Sequence, residues 1–237
     1  AANVLGEMAS LAVLKPLLAA LKDGDSVVRT AAAEALSRQQ GPEAVAGLAS
    51  ALKDREPKVR IAAAAALGRL GNEEAVSPLI GALNDREWQV RAEALESLGR
   101  LGQRQALEAV TARLNDPDVE VRQRAADAVA RLGNEDSIAK LLPNLVDVDA
   151  GVRQATLRSL NTLSPNWERA SCVQAMVSKL QAATRHEDSG VQYAAVTLLK
   201  RITGLTVSEL AQATERTKAE RHQQLRVAIL SDLLGDR

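Results

Sequence analysis

Residues 59–91 read "VRIAAAAALGRLGNEEAVSPLIGALNDREWQVR", and this stretch decides the fold. It opens and closes with Val-Arg. Working outward, the same pair stands at Val28-Arg29, Val59-Arg60, Val90-Arg91, Val121-Arg122 and Val152-Arg153, each 31 residues from the next. An aspartate lies five positions before each valine: Asp23, Asp54, Asp85, Asp116 and Asp147. Eight positions after it stand Leu36, Leu67, Leu98, Val129 and Leu160. A fixed period of this kind marks an array of repeats, each burying its apolar side against its neighbours.

Inside one unit the period is helical. Ala62, Ala63, Ala66, Leu67 and Leu70 follow Val59 at the spacing of one broad helix face. Gly71 follows the last apolar position, as glycine does after a helix end. Asn72 then serves as the next N-cap, with Glu73 and Glu74 in the first turn, where the helix dipole favours negative charge. Gly133-Asn134-Glu135-Asp136 is expected to repeat this punctuation. The following helix carries Ala75, Val76, Leu79, Ile80 and Leu83. Each unit is therefore a hairpin: helix A, a short turn, then helix B with Val-Arg near its start. Pro16 and Pro78 share one register in helix A, with Gly47 between them. An interior proline costs a helix about 3 kcal/mol and kinks it, so a bend is expected there.

The bulk numbers fit an aliphatic helical stack. Among 237 residues, hydrophobic residues make up 46%, aromatics only 1%, and Phe is absent, so Ala, Leu, Val and Ile must fill the interior. Lys plus Arg and Asp plus Glu are 30 each, leaving no net field to draw in polyanions, which argues against nucleic acid as a partner. Cys172 is the single cysteine, which excludes an internal disulfide framework and a multi-cysteine metal site. No apolar run is long enough to cross a bilayer, and no basic-then-apolar leader is present. These features set a cytoplasmic protein as the expectation. The chain starts Ala-Ala without Met, and "VLGEM" at 4–8 aligns with "ALGRL" at 66–70. Residues 1–9 are thus expected to close a preceding repeat, making the chain a piece of a longer array.

One solenoid domain is expected over 1–237. Its regular repeats are 10–40, 41–71, 72–102, 103–133 and 134–164, and its divergent repeats are 165–204 and 205–237. The sixth repeat reaches its valine only at Val191, with Gln192 in place of the arginine and His186 in place of the aspartate. Its eight extra residues are expected to lengthen helix A and the "ATRHEDSG" turn at 183–190. In the seventh, Thr206 and Glu209 form a capping box and Leu225-Arg226 replaces the dipeptide.

These units resemble HEAT repeats, most closely the bilin-lyase-type HEAT-like repeats. The resemblance rests on the "D-x-x-x-x-V-R" turn and the "A-L-G-R-L-G" helix end. It implies an all-α, right-handed α-solenoid of about seven two-helix repeats, with A helices on the convex side and B helices lining the concave side. It also implies that the ladder of Asp23, Asp54, Asp85, Asp116, Asp147, Arg29, Arg60, Arg91, Arg122 and Arg153 is structural. In the family the aspartate caps helix B and meets arginines of its own and neighbouring units. Most members bind proteins, and a few are enzymes or assist cofactor attachment.

On this register the outward positions of helix B fall two, six, nine and ten after the valine. They carry Glu34 and Arg38, Ile61 and Arg69, Glu96 and Arg100, Asp127 and Arg131, and Arg158. Glu34/Arg38, Glu96/Arg100 and Asp127/Arg131 are i, i+4 pairs of opposite sign. Two readings stand: a solvated face that neutralises itself, or a row of arginines meeting acidic groups on a partner. Ile61, Ala65 and Gly68 make a flat patch where a partner can approach closely. Trp88 either covers its hairpin turn or serves as an interface anchor, and Trp167 is equally open.

Catalytic constellations are nearly absent. The only histidines are His186 and His222, and there is no H-E-x-x-H, C-x-x-C or phosphate-binding glycine loop. Of the His-Glu pairs that build a di-iron centre in deoxyhypusine hydroxylase, only His186-Glu187 has a counterpart. The reading is a non-catalytic scaffold without metal or cofactor, inserting in no membrane. It binds a protein partner, or another domain of its parent chain, along the helix B face. The alternative is a bilin-lyase-like protein assisting tetrapyrrole attachment to an acceptor protein.

Overall fold

The structure, a computed structural model, describes residues 13–39, 41–209 and 212. The expected half-repeat at 1–9, the Leu225-Arg226 helix and His222 lie outside the described residues. Among those described, no strand occurs. The helices in chain order are α1 (residues 13–20), α2 (Ser26–Leu36), α3 (Pro42–Ala51), α4 (Pro57–Leu70), α5 (Val76–Ala82), α6 (Trp88–Leu101), α7 (Leu107–Ala112), α8 (Val119–Leu132), α9 (Ile138–Leu141), α10 (Ala150–Leu163), α11 (Val177–Ala183) and α12 (Ser189–Thr203). Odd numbers are A helices and even numbers are B helices. The chain divides into two compact units between Trp167 and Glu168.

Local chemistry explains where these helices start and stop. Asp25, Asp118 and Asp149 are N-caps of α2, α8 and α10, and each side chain accepts from a backbone N–H of the first turn. Pro57 opens α4 at a position whose N–H is unpaired in any helix. Gly71 ends α4 with φ of 70°, a left-handed conformation that L side chains resist. Gly133 departs from the expected repetition of this ending: its φ is −86°, and Asn134 and Ser137 make a capping box instead. The A helices begin irregularly. Tight 3-10 turns at Glu73–Ala75, Arg104–Ala106 and Glu135–Ser137 precede α5, α7 and α9. Pro78 therefore lies in the first α-helical turn of α5, where its missing N–H costs no bond, rather than in a helix interior. The bend expected from an interior proline is not required.

In the first unit each B helix packs on the next, α2 on α4, α4 on α6, α6 on α8 and α8 on α10, while α3, α5, α7 and α9 each pack on the B helix of their own repeat. Small residues set the B-to-B distance. A Cβ on Gly68 would lie 2.4 Å from Ser97 Oγ and 2.9 Å from Ser97 Cα, so only glycine permits this approach. Ser97 Oγ donates to the Ala64 carbonyl at 2.9 Å, and Ser159 Oγ to the Ala126 carbonyl at 2.8 Å. The core is the predicted apolar face: Val59, Ala63, Ala66, Leu67, Val90, Leu98, Val121, Val129, Val152 and Leu160 are fully buried. Burying each leucine contributes about 1.5–3 kcal/mol. Trp167 is also fully buried, its Nε1–H donating to Asn161 Oδ1 at 3.2 Å, so this ring is core. Trp88 is 40% exposed.

The second unit holds α11 and α12, packed against each other. The extra residues of the sixth repeat do not lengthen helix A or its turn. Helix α11 has seven residues, and the turn at 184–188 matches that at 83–87 in length. The connection at 164–170, with a 3-10 turn at Trp167–Arg169, and a longer 3-10 helix at Ser171–Met176 ahead of α11 take up the insertion. Thr206 and Glu209 form the expected capping box, each binding the other's backbone N–H.

Candidate functional site

The A-to-B turns hold the first unit's charged ladder. Each ladder aspartate accepts, through one carboxylate oxygen, the backbone N–H two residues on: Asp25, Glu56, Glu87, Asp118 and Asp149 donate to Asp23, Asp54, Asp85, Asp116 and Asp147. Those donors are the N-cap residues themselves. The aspartate thus shapes the turn ahead of helix B and does not cap the helix, as the family resemblance implies it should. Four of these carboxylates are then gripped from the preceding repeat. Arg29, Arg60, Arg91 and Arg122 donate through Nε and Nη2 to both oxygens of Asp54, Asp85, Asp116 and Asp147 at 2.6–3.0 Å. The remaining Nη1 donates to the carbonyl of the arginine's own ladder aspartate. This fork-to-fork geometry is the strongest arrangement open to the pair.

The electrostatics follow. The hydrogen bond from Arg29 holds the Asp54 carboxyl below the ordinary carboxylate range. For Asp85 and Asp116, burial pushes the carboxyl up, but the bonds from Arg60 and Arg91 outweigh it and the net shift is downward. Arg153 donates to the Asp147 and Val148 carbonyls and has no carboxylate partner among the described residues. In the second unit His186 and Gln192 keep the turn's local chemistry. Asp188 N–H donates to His186 Nδ1, and Gln192 Nε2 donates to the His186 carbonyl. The pattern inside the turn survives the substitutions, while the carboxylate that a guanidinium would grip is gone.

The outward B face is centred on Glu96. Its carboxylate takes Arg131 at 2.9 Å, Arg124 at 3.4 Å and Arg100 at 3.6 Å. Burial raises the Glu96 carboxyl, but the Arg131 hydrogen bond and the three cations hold it below its ordinary value. Of the expected pairs only Glu96/Arg100 forms. Arg131 reaches back to Glu96, and Asp127 pairs instead with Arg158 of the next repeat at 3.6 Å. Glu34 and Arg38 are exposed and unpaired with each other. Adjacent B helices lie close enough that bridges between repeats compete with those along one helix. Ile61 is half-buried, and Arg69 is exposed without an ion pair.

Two charged residues fall outside the expected positions. Glu93 and Arg124 each lie three after the valine, where other repeats carry Ala31, Ala62 and Ala155. That break in an alanine register was the available signal. Arg124 binds Glu120 and Glu96. Glu93 is half-buried with no bonded partner among the described residues, and burial pushes its carboxyl up. Among the described residues no cluster of three or more His, Cys, Asp or Glu side chains is placed to hold a metal ion. None of their helices is long and apolar enough to cross a membrane.

A stack of two-helix units sharing one aliphatic core defines an α-solenoid scaffold. The family model for HEAT repeats matches residues 1–55, 14–89, 45–119 and 77–161, more than half of the sequence, and the chain belongs to the HEAT-repeat family. It is similar to the complex of CpcE and CpcF of phycocyanin lyase from Nostoc sp. PCC7120, with 26% identity, a TM-score of 0.59, and 80% of this chain and 77% of that chain covered. YibA of Escherichia coli shares the fold at 22% identity and a TM-score of 0.54, covering 78% and 69% of the two chains. So does a designed armadillo repeat protein in complex with peptide (KR)4, at 20% identity and a TM-score of 0.51, covering 81% and 100%. No curated protein sequence matches the chain.

Proposed function

We propose that this chain is a non-catalytic scaffold that binds another protein, or another domain of its parent chain, along the outward face of its B helices. One observation carries this reading. From α6 to α10 the face neutralises itself through Glu96, Asp127 and four arginines, whereas Arg38 and Arg69 on α2 and α4 project unpaired beside the half-buried Ile61 and Ala65; Gly68, expected in the same patch, is instead buried against Ser97. Cations free of internal counter-ions, next to a flat surface, suit acidic groups on a partner. The test is selection of binding peptides from a random display library. Acidic peptides are expected, and at least one class of them should lose binding to the double variant Arg38→Glu, Arg69→Glu while its helical spectrum is unchanged. Retention of every selected peptide by that variant refutes the face assignment.

The likeness to the CpcE and CpcF complex of phycocyanin lyase supports a second reading, in which the chain assists tetrapyrrole attachment. Mixing the purified chain with a bilin and recording absorption tests it. A shifted band supports that reading, and an unshifted spectrum at high protein concentration removes it.

A further inference from the structure

The opposite side of the first unit carries a feature that the B face does not explain. Two grooves open between successive A helices. The first, of ≈ 590 Å³, lies between α1 and α3 and is lined by Leu18, Leu21, Lys22, Gly47, Ala51 and Lys53 among others. The second, of ≈ 540 Å³, lies between α3 and α5 and is lined by Ala49, Leu52, Lys53, Pro78, Ala82 and Asn84 among others. Each of these six residues in the second groove lies 31 positions after its counterpart in the first, so this is one site built twice.

Later repeats show what such a gap accepts. Ala51 and Ala82 share their register with Arg113 and Asn144. Arg113 Nη1 donates to the Leu83 carbonyl at 3.2 Å, and Asn144 Nδ2 donates to the Leu114 carbonyl at 2.8 Å. Each side chain bridges back to the preceding repeat. In the first two gaps an alanine stands there instead, and the matching Leu21 and Leu52 carbonyls accept no hydrogen bond from any described residue. The charges are complementary to an acidic occupant. Lys22 and Lys53 are exposed and have no counter-ion among the described residues. Of the carboxylates at these grooves, Asp54 and Asp85 are already held by Arg29 and Arg60, and the exposed Glu43, at the first groove alone, leaves the two lysines in excess.

We propose that the two grooves form a docking surface, distinct from the B face, for an extended acidic peptide segment bearing side-chain amides. Its glutamine or asparagine N–H groups donate to the Leu21 and Leu52 carbonyls, as Asn144 does internally to Leu114. Its carboxylates meet Lys22 and Lys53. The spacing suits a polyproline II segment: the repeat step set by the packed B helices is about 8–10 Å, and side chains three residues apart on such a segment lie about 9 Å apart on one face.

The probe is a short fluorescein-labelled peptide rich in glutamate and proline with two glutamines three residues apart, titrated by fluorescence anisotropy. Ala51→Asn with Ala82→Asn gives the first two gaps the chain's own bridging amide and should weaken binding at least about tenfold, the factor that one hydrogen-bond-sized contribution supplies. Gly81→Leu with Ser50→Leu fills the grooves from exposed positions, and a Cβ on Gly81 meets nothing within 4 Å, so this pair keeps the test open if the first does not fold. Lys53→Glu, at the rim of both grooves, should weaken binding by a similar factor. The B-face double variant Arg38→Glu, Arg69→Glu should bind the probe unchanged, which separates this surface from the proposed scaffold face. No binding by the unaltered chain, or binding undiminished in both groove-filling variants, overturns the proposal. Loss caused only by the B-face variant also overturns it.

Discussion

Removing one charge from the middle of the ladder is the sharpest test of what joins the repeats. Asp116 is the choice because its side chain is 1% exposed and that of Arg91 10%. The Asp116 carboxylate accepts Arg91 Nε at 2.9 Å, Arg91 Nη2 at 2.6 Å and the Asp118 N–H at 3.0 Å. Asp116→Asn keeps an acceptor for the Asp118 N–H but leaves the Arg91 cation buried without its counter-charge. Breaking a buried pair from one side costs about 3–5 kcal/mol; the surviving turn bond and the Nη1 bonds to the Asp85 and Arg86 carbonyls place the loss near about 3 kcal/mol. Arg91→Met should cost a similar amount by stranding the carboxylate. The double variant removes both charges, so its loss should fall short of the sum by about 2–3 kcal/mol, the upper range for residues in contact. Urea unfolding followed by circular dichroism measures all three, and hydrogen exchange locates the loss at the α6–α8 junction. Losses that add within about 0.5 kcal/mol, or single losses below about 1 kcal/mol, refute the view that the ladder couples neighbouring repeats.

Other outcomes follow from the packing. Leu98→Ala, at a fully buried site, should cost about 2–5 kcal/mol and broaden the melt or split it in two, since units contact only their neighbours; a sharp, merely shifted transition counts against this. Gly68→Ala should destabilise by about 1–3 kcal/mol through the Ser97 contact despite a better helix former, whereas Gly81→Ala, with free space around its Cβ, should stabilise by about 0.5–1 kcal/mol. The lowered Asp54, Asp85 and Asp116 carboxyls contribute stability that is complete above the unfolded value near about 3.9 and is lost as pH falls through their lower folded values. Glu93 runs the other way: its raised value makes the charged form a burden as pH rises through it, so Glu93→Gln should raise Tm at neutral pH and leave it unchanged once both states are protonated, below about pH 4.

The fold was legible because the same apolar register recurs at a single period, and Val59, Val90, Val121 and Val152 are all fully buried where that register places them. Local signals were read well where one residue decides, as at Gly71 or the Thr206/Glu209 box. They misled where neighbours compete. Asp127 and Arg131 have the spacing of a helix-surface pair, yet the close approach of α8 to α6 and α10 gives each a partner in another repeat. A helical wheel contains no such distances. The ladder pairs are likewise invisible to local spacing, since each joins residues 25 positions apart. The outer grooves were missed because their signal is what alanines at 51 and 82 fail to do, which has meaning only once Arg113 and Asn144 are seen reaching their carbonyls.

That constant separation makes the array divisible. Excising residues 72–102 would remove Asp85 together with Arg91 and set Arg60 the standard 25 positions ahead of Asp116, so the new seam would inherit a complete clasp. Duplicating the same stretch would insert one more clasp and strand none. Chain length is thereby a parameter that recombination can vary in whole steps, lengthening or shortening the outward helical face without redesigning a single joint.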